Sequence, residues 1–144
     1  MKIIILDDST TIRMIIESFL EDLGVHENEL YSFENGYEAL DFIKTNGADL
    51  VFSDINMPYM NGYEFAEMLF KMHEQLKSVF FAISGEEGRD GFVKMKNCGV
   101  HRFLKKPINV EHFNHFVKPE VLKIRAAELR STRIFSHKNS LCTS

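Results

Sequence analysis

Leu50-Val51-Phe52-Ser53-Asp54-Ile55-Asn56-Met57-Pro58 is an apolar run that ends in a single carboxylate. The run has the length of a strand. Pro58 and then Asn61-Gly62 follow, so the chain must turn there. A buried strand that delivers a lone Asp to its carboxyl end sets a reactive group at a rim. In open α/β sheets that rim is where ligands bind.

Outward from Asp54, the same arrangement recurs. Lys2 to Leu6 is a continuous aliphatic run, expected as a strand buried on both faces, and Asp7-Asp8 closes it. Ser9-Thr10-Thr11 then offers helix caps, and Ile12, Ile15, Ile16, Phe19, Leu20 and Leu23 recur at helical spacing before Gly24. Glu29 to Phe33 predicts a second strand. Asn35-Gly36 and Asn46-Gly47 bracket a second helix carrying Ala39, Leu40 and Ile43. Tyr63 to Leu76 predicts a third helix and Val79 to Ile83 a fourth strand ending at Ser84-Gly85. Gly88 to Asn97 reads as a fourth helix weakened by Gly88 and Gly91. His101 to Lys105 is a fifth strand before Lys106-Pro107, and Val110, Phe113 and Val117 begin a fifth helix. Pro119 is expected to end or kink it, with helical composition resuming to about Arg130 and the polar stretch from Ser131 fraying.

Five strands alternate with five helices, which argues for a parallel sheet covered on both faces. The chain of 144 residues suits one domain, and its 44% hydrophobic content can build a core. Residues 1–117 carry eleven bases and nineteen acids, whereas 118–144 carry six bases and two acids. The expected division is therefore a domain over 1–117 and a basic helical extension with a frayed tail over 118–144. The net charge of -4 gives no reason to expect nucleic acid. Cys98 and Cys142 are far apart and in no metal-ligand spacing, which fits a reducing compartment. No signal-peptide core and no membrane-length apolar stretch are visible, so a cytoplasmic location is expected.

In a parallel sheet all strand carboxyl ends share one edge. Asp7, Asp8, Asp54, Ser84 and Lys106 then converge. Three carboxylates cannot sit close and ionised without countercharge. Lys106 supplies one positive charge, and a hard divalent cation such as Mg²⁺ would supply the rest. Mg²⁺ also offsets charge during phosphoryl transfer, and an Asp can be the nucleophile, forming an aspartyl phosphate. Ser84 and Lys106 are suitable donors to phosphoryl oxygens. Taken singly, Asp7-Asp8 also suits helix capping, Ser84 a turn, and Lys106 a solvated surface.

With Asp7-Asp8, Asp54 to Pro58 with Gly62, Ser84-Gly85 and Lys106-Pro107 in this order, the sequence resembles the CheY-like receiver domain of two-component response regulators over roughly Met1 to Val117. The resemblance implies a flavodoxin-like doubly wound α/β fold with five parallel strands in the order 2-1-3-4-5. It implies Asp54 as phosphoacceptor. Asp8, Asp54 and the backbone carbonyl of Asn56 become Mg²⁺ ligands, with Asp7 nearby or acting through water. Ser84 and Lys106 become phosphoryl-binding groups, Ser84 and Phe103 switch residues, and Asn56 and Glu86 residues that tune hydrolysis. A cis Lys106-Pro107 bond is implied too. The implied partners are a sensor histidine kinase or phosphotransfer protein and a downstream protein that reads the fourth helix, fifth strand and fifth helix.

Two alternatives stand beside this switch. A haloacid-dehalogenase-type phosphoaspartate hydrolase needs a second Asp two residues after the nucleophile, where this chain has Asn56. An unphosphorylated pseudo-receiver module would not need every acidic and donor position filled, as they are here.

Overall fold

The computed structural model describes residues 1–85 and 88–143, with the side chains of residues 1–85 and 89–132. Five strands, β1 (Ile3–Leu6), β2 (Leu30–Phe33), β3 (Leu50–Asp54), β4 (Phe80–Ser84) and β5 (Arg102–Lys105), form one parallel sheet in the order β2-β1-β3-β4-β5. The helices are α1 (Thr10–Asp22), α2 (Gly36–Asn46), α3 (Gly62–Met72), α4 (Gly88–Asn97) and α5 (Val110–Thr143). The expected fold class and strand order are those observed. Order reverses between β1 and β3, so the ends of those strands open a crevice.

The aliphatic runs are continuous because both faces of the sheet are covered. Ile4, Leu6, Val51, Phe80 and Ala82 pack toward α2, α3 and Met95 of α4. Ile3, Ile5, Leu50, Phe52, Phe81 and Ile83 pack toward α1 and α5, where Phe113 and Val117 are fully buried. Strand side chains alternate between faces, so one unbroken run serves two cores. Each fully buried aliphatic or Phe side chain contributes roughly 1.5–3 kcal/mol.

The turns are set by local chemistry. Ser9 caps α1 by accepting a hydrogen bond from the Ile12 N–H at 3.3 Å. Asn35 and Asn61 cap α2 and α3 through the Glu38 and Glu64 N–H groups at 3.0 and 3.1 Å. Asn35-Gly36 and Asn61-Gly62 thus each start a helix, whereas Asn46-Gly47 ends α2. A Cβ on Gly36 would lie 2.7 Å from the sulfur of buried Met60. Gly24, at φ 93°, takes the left-handed conformation just after α1.

Three boundaries differ from the sequence reading. α3 ends at Met72, and a 3₁₀ segment over Glu74–Val79 carries Leu76 into the core. α5 passes through Pro119 instead of ending there. Pro119 removes the donor for the His115 carbonyl, but both residues are exposed, so water can satisfy it. The helix also continues past Ser131 to Thr143 where fraying was expected. Its early extension packs on the domain: Val121 is buried and Ile124 lies against the α1 side of the core. Among the described residues no helix is long and apolar enough to cross a membrane.

Candidate functional site

Asp54 is the last residue of β3 and Asp7 follows β1, so both reach the carboxyl edge of the sheet. Asp7 is fully buried, Asp54 is 3% exposed, and Asp8 is exposed. One carboxylate oxygen from each of the three lies within 4.8 Å of the others. Lys106, just past β5, places its Nζ 3.3 Å from Asp7 Oδ2 and 3.4 Å from Asp54 Oδ1. The Lys106-Pro107 bond is cis. Ser84 ends β4, and its carbonyl accepts the Lys106 N–H at 2.7 Å, so the two strand ends sit side by side.

These groups strain one another. Burial first, and the Asp7 charge second, push the Asp54 carboxyl up to about 7 against the pull of Lys106. Burial also raises Asp7, although the Ser9 N–H donates to its Oδ1 at 2.8 Å and Lys106 opposes the rise. Burial disfavours the Lys106 ammonium, but Asp54 and Asp7 outweigh it and hold its pKa above the ordinary value. With all four groups ionised the cluster carries two net negative charges.

The cluster fits a divalent cation. Its protein donors are hard oxygens. Asp7 Oδ2 is buried and has no hydrogen-bond donor aligned on it among the described residues, the Lys106 contact being an ion pair only. A group that costly to bury is compensated by a cation at the same place.

The loop after Asp54 is held from both ends. Met57 and Met60 are buried, whereas Asn56, Pro58 and Tyr59 are exposed. Tyr59, at φ 70°, is the apex of a three-residue turn closed by the Met60 N–H on the Pro58 carbonyl at 2.8 Å. The Gly62 N–H donates to the Ile55 carbonyl at 2.7 Å, which draws the start of α3 against the strand end. Phe103 lies on β5 in register with Ala82 of β4. It is half-buried, with its ring 4.5 Å from that of Phe92 on α4. Glu86 lies outside the described residues.

Two contributors escaped the sequence reading. The Arg13 guanidinium donates to the Asp7 carbonyl and, at 3.2 Å, to the Thr10 hydroxyl. Phe92 of α4 is the ring that faces Phe103. A base one turn into the helix after an acidic pair was the only available signal for Arg13. The capping role open to Asp7-Asp8 falls instead to Ser9.

Residues 3–118 match the family model of the response regulator receiver domain. The chemotaxis protein CheY-3 of Vibrio cholerae is 33% identical over 108 residues, covering 74% of this chain and 81% of that protein. A CheY homologue of Campylobacter jejuni is 29% identical over 133 residues, covering 92% and 94%. The solved structure of the chemotaxis response regulator CheY4 of Vibrio cholerae superposes with a TM-score of 0.70 at 29% identity, covering 83% of this chain and 97% of that one. By the family match over residues 3–118 and by these relatives, the chain belongs to the response regulator receiver domain family and is a CheY-like signalling protein.

Proposed function

We propose that this chain is a phosphorylation switch in a two-component phosphorelay, with residues 1–117 as the receiver and residues 118–144 as a basic helical extension. The observation that carries the reading is the buried Asp54 beside Asp7, Asp8 and Lys106 at the sheet edge. Asp8, Asp54 and the backbone carbonyl of Asn56 would hold Mg²⁺, with Asp7 nearby or acting through a water. When bound, Mg²⁺ neutralises charge on the carboxylates and on the transferring phosphoryl oxygens.

A carboxylate oxygen of Asp54 attacks the phosphorus of a phosphohistidine on a sensor kinase or phosphotransfer protein. The P–N bond breaks and its electron pair leaves with the imidazole. The Lys106 ammonium and the Ser84 hydroxyl donate to the phosphoryl oxygens. Asn56 flanks the path of the water that later resets the switch, and Glu86, outside the described residues, is the second residue proposed to tune hydrolysis. Output is a changed surface of α4, β5 and α5, read by a downstream protein. A cavity of about 410 Å³ beside Phe103, Lys106, His112 and Phe116 supports that assignment. The switch acts in the cytoplasm, with no membrane or nucleic acid as partner.

The test is intact mass after incubation with acetyl phosphate and Mg²⁺. The parent gains one phosphoryl group and Asp54→Asn gains none. Equal modification of both would overturn the assignment, and transfer that ignores Mg²⁺ removal would favour a different site.

A further inference from the structure

α5 turns Phe113, Val117 and Val121 into the core. Half a turn around, at the same 3.6-residue period, His115, Pro119, Leu122 and Leu129 share the opposite face. Leu122 is 55% and Leu129 60% exposed. Ala126 lies between them and is small enough for a second helix to approach closely.

The charges of this helix are sorted by direction. Its two acids from Lys118 to Arg130 turn toward the domain. Glu120 is 8% exposed and pairs with Arg102 at 2.8 Å. Glu128 pairs with the Met1 amine at 2.7 Å and with Arg125 at 3.1 Å. Lys118 and Arg130 are exposed beside the leucines, and Lys123 is exposed too, although it stands 3.5 Å from Glu120. A stretch of mixed sign in sequence therefore shows a basic, apolar face, on a domain with eight more acids than bases in residues 1–117.

We propose that this face, from Lys118 to Arg130, is a docking surface for an acidic amphipathic helix of a partner protein. Leucines of the partner pack on Leu122, Ala126 and Leu129, and its carboxylates face Lys118, Lys123 and Arg130. A second copy of α5 is disfavoured, because pairing would set these bases against one another. The seam is a narrow stripe bounded by charge on both sides, as in helix pairs, and lacks the broad apolar face of helices that lie in membrane interfaces.

Arg125 binds both carboxylate oxygens of Glu29, at 2.8 and 2.9 Å, immediately before β2. The leucine face is thus near the amino ends of the strands, and Asp54 is at the carboxyl ends. Docking is independent of the phosphoryl state. It tethers the switch to its assembly and leaves the α4, β5 and α5 surface to carry the signal.

The probe is a synthetic, fluorophore-labelled helix with Leu at heptad positions a and d and Glu at e and g, titrated with the full chain. Anisotropy is expected to show saturable, salt-sensitive binding, unchanged by Mg²⁺ and beryllofluoride. Leu122→Asp with Leu129→Asp, and separately Lys118→Glu with Arg130→Glu, should each weaken it by at least about tenfold. Both pairs are exposed, and unchanged circular dichroism verifies their folding. Binding of a Lys-flanked control helix with equal affinity, indifference to both variant pairs, or no binding at about 1 mM chain overturns the proposal. So does a chain dimer in light scattering that the same variants abolish, which makes a second copy the occupant. Variant-sensitive binding to anionic phosphatidylglycerol vesicles without binding to the acidic helix overturns it in favour of a membrane surface.

Discussion

Gly62 lies against the backbone carbonyl of Asp54 so closely that a Cβ there would overlap the oxygen, and it would also stand 2.8 Å from the Ile55 Cα. The start of α3 is therefore seated directly on the residue that presents the buried Asp54 carboxylate. Both neighbours are backbone, so neither can step aside by changing rotamer. Gly62→Ala should cost about 1–3 kcal/mol, the usual range for overpacking. It should also weaken Mg²⁺ binding, because relief requires the Asp54 backbone to move. Urea unfolding and a Mg²⁺ titration of the same variant check this. An alanine variant with parental stability and affinity would show that the contact is slack.

The Asp54 carboxyl, held up to about 7 chiefly by burial, makes stability depend on pH. Its ordinary value is 3.8, so between about pH 4 and pH 7 the folded chain holds a proton that the unfolded chain has released. This group's contribution to stability then falls as pH rises through that window. Asp54→Asn lacks the penalty. Without Mg²⁺ the variant should match the parent near pH 4 and exceed it by a few kcal/mol above pH 7, the scale set by the rise from 3.8 to about 7. Mg²⁺ should narrow the gap by stabilising the parent alone. A variant that is less stable than the parent at pH 8 without Mg²⁺ contradicts the account.

Phe103 and Phe92 meet across β5 and α4, with ring centroids 4.5 Å apart. In the switch proposed above, the Ser84 hydroxyl moves with its loop toward the phosphoryl group on Asp54, and Phe103 swings into the space left beside β4. That rearrangement would break the contact with Phe92 and release α4, whose Gly88 and Gly91 already lower its stability. Ser84→Ala and Phe103→Ala should still accept phosphate on Asp54 but show a reduced response of α4, β5 and α5. Amide exchange with and without beryllofluoride is the measurement. Protection changes confined to α1 and α2 in the parent would exclude this route.

Asn56 is exposed two residues after Asp54, and in the proposed switch its small polar side chain leaves water a path to the phosphorylated carboxylate. Asn56→Met should slow phosphate release several-fold with little effect on phosphorylation. Unchanged or faster release from the methionine variant would remove Asn56 from the hydrolytic path.

Arg125 ties α5 to the rest of the domain through Glu29. Its hydrogen bonds, ahead of every other influence, hold the Glu29 carboxyl well below the usual range. A depressed folded value means that the stabilisation is present above the ordinary value of 4.5 and is lost as pH falls below it. The pair is partly solvated, so Arg125→Ala should cost roughly 1–2 kcal/mol at pH 7, between exposed and fully buried ion pairs. The cost should shrink in acid, and amide exchange should quicken from Val121 onward. Equal destabilisation at pH 7 and at pH 3 would mean that packing, not charge, is what the arginine supplies.

Periodicity and composition are local properties, and they were enough for five strands alternating with five helices and for the acidic edge, while the strand order came only with the family resemblance. Ile3 to Leu6 and Leu50 to Phe52 read as doubly covered strands because each residue had to be apolar whichever face it met. Asp7, Asp8, Asp54, Ser84 and Lys106 were legible because parallel strands send all their carboxyl ends one way. The sequence could not show which member of Asp7-Asp8 is buried, since that depends on the pleat and on Lys106 ninety-nine positions away from Asp7. Nor could it show that Gly62 touches Asp54, that Pro119 rides within a helix, or that Glu120 and Glu128 face inward. Those outcomes rest on partners such as Arg102 and, 96 residues from Arg125, Glu29. Only the closed fold brings such distant groups within hydrogen-bond range, and only then do their charges choose a face of α5.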